Sequence, residues 1–132
     1  MSEGLIPFDP GLLALIKGLM GGGGALAPFV HEIMLLDCHV AGTSHLQLDE
    51  VEPALHAGEV LMLRREIDNP HDPLAILIFD ERGNKLGYIP RAKNEVLAHL
   101  MDAGKLIYGK IEDKQRLGAW LKISMSVFLR DI

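Results

Sequence analysis

Cysteine is nearly absent from this chain of 132 residues, which contains a single one, Cys38. An intramolecular disulfide is therefore excluded, and a reducing compartment is expected. No CxxC pair occurs, which excludes a structural zinc site of the thiolate type. Aromatic residues make up only 5% of the chain, so a long base-stacking platform is excluded as well.

Positive charge is also scarce, because 13 Lys and Arg residues face 18 Asp and Glu residues, giving a net charge of −5. A protein of this charge cannot coat nucleic acid non-specifically, since such binding depends on neutralising phosphates. The balance is uneven along the chain: residues 1–59 hold one basic and eight acidic residues, and residues 60–132 hold twelve and ten. An anion-binding surface is therefore expected in the C-terminal half.

Long hydrophobic runs are missing too. The apolar segment 12–20 contains Lys17 and is too short to span a bilayer. Glu3 and Asp9 stand where a secretory signal would carry basic residues. We therefore expect a cytoplasmic protein without a membrane span.

The first 30 residues are predicted to form a separate unit, an apolar helix followed by a Gly-rich linker. Asp9 and Pro10 can begin the helix, and four glycines at 21–24 end it. We expect this helix either to pack on the rest of the chain or on a second copy of it, or to dock on a protein partner or a membrane surface. The residues that would carry a protein contact or a homodimer are Leu12, Leu15, Ile16 and Leu19.

Residues 31–132 alternate apolar runs of strand length with turns. An acidic helical turn is predicted within 46–58, and a long helix over 90–104. Trp120, Met125 and Phe128 are predicted to lie in the core. The predicted strands are 32–42, 59–66, 74–80, 85–90, 106–113 and 119–130. Five to six strands with one inserted helix predict a mainly β fold, a small and partly closed barrel.

The most unusual stretch is DNPHDPLAILIFD, residues 68–80, where a stiff polar turn leads into an apolar strand. Asn69 and Pro70 favour a turn that can hold Asp72 in place. A carboxylate accepts a hydrogen bond from a hydroxyl group but repels a phosphate, so Asp72 can distinguish between these two groups. Alternatively, Asp68, Asn69 and Asp72 only shape the turn.

A second polar group follows in the segment GYIPRAK. Arg91 stands at a predicted helix start, where its forked donor and free backbone N–H groups suit a phosphate. Tyr88 offers a flat face to a nucleobase. Each residue also has a simpler interpretation, since Tyr88 can pack in the barrel and Arg91 and Lys93 can be a solvated helix start.

Several stretches together resemble the HIRAN domain: VAGTSHLQL (40–48), LRREIDNPHDPLAILIFDERGNKLGYIPRAKNEVLAHLMDAG (63–104) and the terminal strands. The most specific elements are the turn D-N-P-H-D-P before an A-I strand and G-Y-I-P-R leading into a helix. The resemblance covers residues 33–132, most of the chain, and implies a modified OB-like barrel. The N-terminal helix is an extension outside it.

The resemblance also implies a function. In eukaryotes the HIRAN domain is the N-terminal module of DNA translocases that remodel stalled replication forks, and it captures the 3′-hydroxyl end of single-stranded DNA. Bacteria also carry free-standing copies, and we expect this chain to be one of them. The resemblance therefore predicts a DNA-binding module for DNA repair or replication-fork processing. We expect neither catalysis nor a cofactor.

Carried over position by position, the family's end-binding pocket falls on three segments of this chain. Family members that bind DNA ends have an arginine and a tyrosine at positions 44 and 45, and a tyrosine at position 71. Two aromatic faces are thus replaced by imidazoles and one guanidinium is lost, so weaker binding or a different end is expected. The predicted DNA-binding residues are Ser44, His45, Asn69, His71, Asp72, Tyr88, Arg91 and Lys93.

Two functions of other classes remain as alternatives. One is a protein-interaction module that uses the N-terminal helix. The other is a metal-dependent hydrolase of phosphodiester or acid-anhydride bonds, with Asp68, His71 and Asp72 as ligands and His45 nearby. No H-E-x-x-H spacing or other metal motif accompanies these residues.

Overall fold

The structure, a computed structural model, describes residues 31–131; the helix, linker and contact surface predicted for residues 1–30 lie outside this range. Six antiparallel strands form one sheet in the spatial order β1-β6-β5-β2-β3-β4. The elements are β1 His31–His39, β2 Val60–Arg65, β3 Ile76–Phe79, β4 Lys85–Tyr88, α1 Asn94–Asp102, β5 Leu106–Leu117 and β6 Trp120–Asp131. The predicted mainly β fold with one inserted helix is confirmed.

The sheet curls until its two edges meet at one place. Ala41, just beyond β1, exchanges two backbone hydrogen bonds of 2.8 and 2.9 Å with Tyr88 of β4. Gly87 permits this approach, because a Cβ atom there would lie 2.2 Å from the Ala41 carbonyl oxygen. The sheet is therefore a partly closed barrel, and we name the Ala41–Tyr88 pairing the seam.

The inner face of the sheet carries the main core, because alternate residues of each strand point to it. Ile107 and Ile111 of β5 and Ile78 of β3 belong to one continuous buried cluster. Helix α1 packs on the same cluster through Leu97 and Ala98, both fully buried. The apolar spacing of the strands and of this helix thus follows from one shared core.

The outer face carries a second, smaller cluster. Val60, Met62 and Tyr108 are buried in it, and Phe128 packs against them. The rings of Tyr108 and Phe128 stack with their centroids 5.8 Å apart. Of the last-strand residues predicted as core, Met125 lies on the inner face, fully buried, whereas Phe128 packs in this outer cluster.

The hairpin of β5 and β6 is longer than the sequence pattern predicted. Pairing continues from Asp113 to a tight turn in which Leu117 pairs with Trp120. Strand β1 pairs with β6 only from Ser124 onward, so the tip of the hairpin extends beyond its neighbour. Trp120 lies at this tip and is 39% exposed. Its predicted place in the core is therefore wrong.

The helical segments also differ in detail from the prediction. The predicted helix 90–104 is a 3₁₀ turn, Arg91–Lys93, followed by α1. The acidic helical turn is confirmed as a 3₁₀ turn, Glu52–Ala54. Another 3₁₀ turn, Thr43–His45, has no counterpart in the prediction. Between residues 31 and 131, no helix has the length and apolar character needed to cross a membrane.

Candidate nucleic-acid interface

The turn that leads into β3 is shaped by Asn69. Its Oδ1 atom accepts hydrogen bonds from the backbone N–H groups of His71, at 2.8 Å, and Asp72, at 3.0 Å. The backbone N–H of Asn69 in turn donates to the Glu66 carbonyl at 3.2 Å. Asn69 therefore acts within the chain, by fixing the backbone position from which Asp72 projects.

Asp72 presents a partly exposed carboxylate at the end of this turn. Its Oδ1 accepts a hydrogen bond from the Leu74 backbone N–H at 2.9 Å, and its Oδ2 accepts one from Asn94 Nδ2 at 2.8 Å. The Leu74 bond, with help from Asn94 and Arg91, holds the pKa of Asp72 below its usual value, although burial raises it. The side chain remains 16% exposed, and Oδ1 can accept a further donor.

Arg91 joins the turn to the start of the helix. Its Nε lies 3.5 Å from Asp72 Oδ2, and its Nη2 donates a hydrogen bond to the His71 carbonyl. The Arg91 side chain is 70% exposed, so its remaining N–H groups can meet a ligand. Lys93 is exposed on the same 3₁₀ turn. Burial raises the pKa of the Cys38 thiol to about 11, and the charge of Lys93 opposes this rise.

Tyr88 lies on β4, on the other side of the turn. Its hydroxyl group donates a hydrogen bond of 2.7 Å to Glu66 Oε1, the atom that also accepts Asn69 Nδ2 at 2.7 Å. Burial and the hydrogen bond to Glu66 raise the pKa of Tyr88 to about 12. Lys85 Nζ lies 4.9 Å from the ring centroid, so a cation lies over one face of the ring.

Ser44 and His45 lie on the far side of the seam. The 3₁₀ turn that carries them is anchored by Thr43, whose Oγ1 donates a buried hydrogen bond of 2.7 Å to the Leu121 carbonyl. Ser44 and His45 themselves are exposed. The structure thus brings His71, Asp72 and Arg91 into direct contact, and relates Ser44 and His45 to Tyr88 only through the backbone pairing at the seam.

Three further residues have contacts in this region that the sequence pattern did not indicate. Asn94 is 2% exposed and binds Asp72, while Glu66 binds both Asn69 and Tyr88. Trp120 lies next to Leu121 and meets the His39 ring edge-on, with centroids 6.1 Å apart. The signals that were available are a polar residue at the first position of a helix and a lone tryptophan beside a hairpin glycine.

The residues of the alternative metal site are not arranged as ligands. His71 contacts Arg91 through its backbone carbonyl, and the carboxylate of Asp72 is engaged by Leu74 and Asn94. Across residues 31–131, no group of three or more His, Cys, Asp or Glu side chains is placed to hold a metal ion.

Comparison with solved structures shows the same fold. A crystal structure of a protein from Lactobacillus plantarum has a TM-score of 0.72 and 25% identity, covering 78% of this chain and 99% of that one. The crystal structure of the HIRAN domain of human HLTF has a TM-score of 0.57 and 21% identity, covering 75% and 78%. The NMR structure of the HLTF HIRAN domain in its DNA-bound conformation has a TM-score of 0.50 and 22% identity, covering 74% and 78%.

Comparison with curated proteins found no match. The family model of the HIRAN domain matches residues 33–130, which includes all six strands almost completely, the turn before β3 and helix α1. The fold, the turn chemistry and the family model therefore agree. The chain belongs to the HIRAN domain family.

Proposed function

We propose that this chain is a non-catalytic module that binds the 3′-hydroxyl end of single-stranded DNA, in DNA repair or replication-fork processing. The HIRAN domain of human HLTF has been solved in a DNA-bound conformation, and this chain shares its family and fold. The observation that carries the proposal is the Asp72–Arg91 pair, with Nε and Oδ2 3.5 Å apart, the Arg91 side chain 70% exposed and the Asp72 carboxylate partly exposed.

The two charges suit the two parts of a DNA end. The carboxylate of Asp72 accepts a hydrogen bond from a terminal hydroxyl group and repels a terminal phosphate. Arg91 can donate to the phosphate that precedes the last nucleotide, because its side chain is 70% exposed and N–H groups remain beyond those that face Asp72 and the His71 carbonyl. With one or two phosphate contacts, the salt dependence of binding should be shallow.

Exposed rings around this pair can stack on bases. They are few, because one face of Tyr88 lies under Lys85 and imidazoles stand at His45 and His71. Trp120, which is 39% exposed, adds a larger ring on β6 and precedes Leu121, whose carbonyl anchors the turn that carries His45. Each stacked base contributes about 1–3 kcal/mol, so we expect modest affinity with specificity set by the DNA end.

The test is fluorescence anisotropy with short oligonucleotides that differ only at the 3′ end. A 3′-hydroxyl strand should bind more tightly than a 3′-phosphate strand, because the phosphate faces the carboxylate of Asp72. A circular single strand, which has no end, should bind least. Equal affinity for the three DNAs would contradict end capture, and no measurable binding to any of them would contradict DNA binding altogether.

A further inference from the structure

We infer that Glu66 is the positioning residue of this site: its carboxylate fixes the orientation of Asn69 and Tyr88 and, through Asn69, the position of Asp72. The effect of Glu66 on DNA binding rests on the proposed function. The geometry that it controls can be measured without DNA, so the two ideas can fail separately.

One oxygen atom of Glu66 holds both sides of the site together. Oε1 accepts a hydrogen bond from Asn69 Nδ2 and another from the Tyr88 hydroxyl, each at 2.7 Å. Asn69 belongs to the turn before β3, and Tyr88 belongs to β4 and the seam. A carboxylate is suited to this double contact because it is an acceptor only.

The contact also selects the orientation of the Asn69 amide. Its NH₂ group faces Glu66, so its oxygen faces the backbone N–H groups of His71 and Asp72. Rotating the amide by 180° would place oxygen against the carboxylate and NH₂ against two donors. Both contacts would be repulsive, so the Glu66 side chain keeps the amide in the orientation that forms the turn.

The backbone of Glu66 closes the same loop independently of its side chain. Its N–H donates to the Ala75 carbonyl at 2.9 Å, and its carbonyl accepts the Asn69 N–H at 3.2 Å. Burial raises the pKa of the Glu66 carboxyl, but the bonds from Tyr88 and Asn69 outweigh it and leave the pKa below its usual value. Substitution of the side chain therefore removes a charged acceptor and leaves the loop closure intact.

The first test uses NMR without DNA, on proteins with ¹³C-labelled tyrosine and ¹⁵N-labelled backbone. In Glu66→Ala the pKa of Tyr88 should fall from about 12 towards its ordinary value of about 10. The amide protons of His71 and Asp72 should exchange about tenfold faster, as expected for one weakened hydrogen bond. Tyr108, whose hydroxyl binds Glu32 instead, serves as the internal control.

Three further variants separate charge, geometry and folding. Glu66→Gln keeps an acceptor oxygen, so it should retain amide protection while the pKa of Tyr88 falls. Glu66→Asp keeps the charge but shortens the side chain by one methylene. It tests the position of the carboxylate if the alanine variant does not fold. Glu95→Ala removes an exposed carboxylate from α1 and should change neither measurement.

The second test measures DNA binding. Glu66→Ala should lower the preference for a 3′-hydroxyl over a 3′-phosphate strand about tenfold, and Glu66→Gln should restore most of it. An unchanged Tyr88 pKa, unchanged amide exchange, or an alanine variant with full end preference would overturn the inference. If the NMR effects appear but the unmodified protein shows no end preference, Glu66 still positions the turn and the proposed function is wrong.

Discussion

The turns before and after β3 contain the same residue types but serve different purposes. Asn69 and Asp72 form the turn before the strand, and Asp80 and Asn84 form the turn after it. Both oxygens of Asp80 are occupied twice, by the backbone and side chains of Arg82 and Asn84, and the residue is fully buried. Asp72 keeps a partly exposed carboxylate with capacity for another donor.

An acidic residue in a turn is therefore not in itself a sign of a binding site. At Asp80 the protein fills every acceptor position, and a second buried carboxylate, Glu59, shares Arg82 at 3.2 Å. At that end of β3, Asp80 serves the structure alone. The end at Asp72 is open, so variants at the two ends should separate stability from binding.

The largest effect on stability is expected for Asp80→Ala, which removes four hydrogen bonds and leaves Arg82 paired with Glu59. At about 1 kcal/mol for each hydrogen bond, the substitution should lower the free energy of unfolding by about 4 kcal/mol. Urea unfolding would measure it, with Asp72→Ala as the matched control, for which we expect about 1 kcal/mol. Similar losses in the two variants would contradict the difference between the turns.

Asp72→Asn should act on binding more than on stability. The amide cannot repel a phosphate as a carboxylate does, so the preference for a 3′-hydroxyl end should fall about tenfold, or 1.4 kcal/mol. Anisotropy with hydroxyl and phosphate strands measures this ratio. An unchanged ratio would show that Asp72 serves the turn alone.

The carboxylate of Asp72 should also make the stability of the protein depend on pH. The folded protein lowers the pKa of Asp72, so the stability that this carboxylate provides is complete above the unfolded pKa of about 3.9. It is lost as the pH falls through the lower folded value. The difference in unfolding free energy between the unmodified protein and Asp72→Asn should therefore be constant near neutrality and shrink only in acid, which chemical unfolding at pH 2.5–7 would show.

Trp120 should report DNA binding directly, because it is the only tryptophan of the chain. Stacking of a base should quench its fluorescence. Trp120→Ala should cost about 1 kcal/mol of binding, at the low end for a stacked base, because one edge of the ring already meets His39. Leu117→Ala, also exposed on this hairpin, is the control, and equal losses in both variants would contradict stacking.

The smallest effect is expected for Arg91→Ala. It should weaken hydroxyl and phosphate ends alike, and reduce the slope of log affinity against log salt by about 1. Lys105→Ala removes the same charge from an exposed position after α1 and should leave the slope unchanged. A change of end preference in Arg91→Ala would show that this residue reads the terminus instead of a phosphate.

The sequence predicted the features that depend on local pattern. The alternation in the strands and the apolar face of α1 both reflect burial in one main core, so the spacing of apolar residues predicted the fold. The same spacing did not predict the tip of the β5–β6 hairpin, because its charged residues face solvent on both sides and Trp120 packs against no core. Turn chemistry likewise indicated Asp72, and the resemblance to the family placed Arg91 in the same pocket.

The supporting residues of the site could not be predicted in this way. Asn94 binds Asp72, and Glu66 binds Tyr88, each across 22 residues of sequence. Nothing in the neighbourhood of either residue indicates its partner, because the contact exists only once β4 and α1 lie beside the turn. Long-range polar contacts of this kind require the folded chain.

The proposed site depends on the seam that joins the two edges of the sheet. Ser44 and His45 follow Ala41 on one arm, while Arg91 follows Tyr88 on the other, and two backbone hydrogen bonds hold the arms together. Opening of those bonds would separate the two halves of the site and would also loosen the core, because Val40 and Ile89, the chain neighbours of Ala41 and Tyr88, are buried in it. A strand of DNA bound to both segments would therefore stabilise the seam, and tighter binding would stabilise it more.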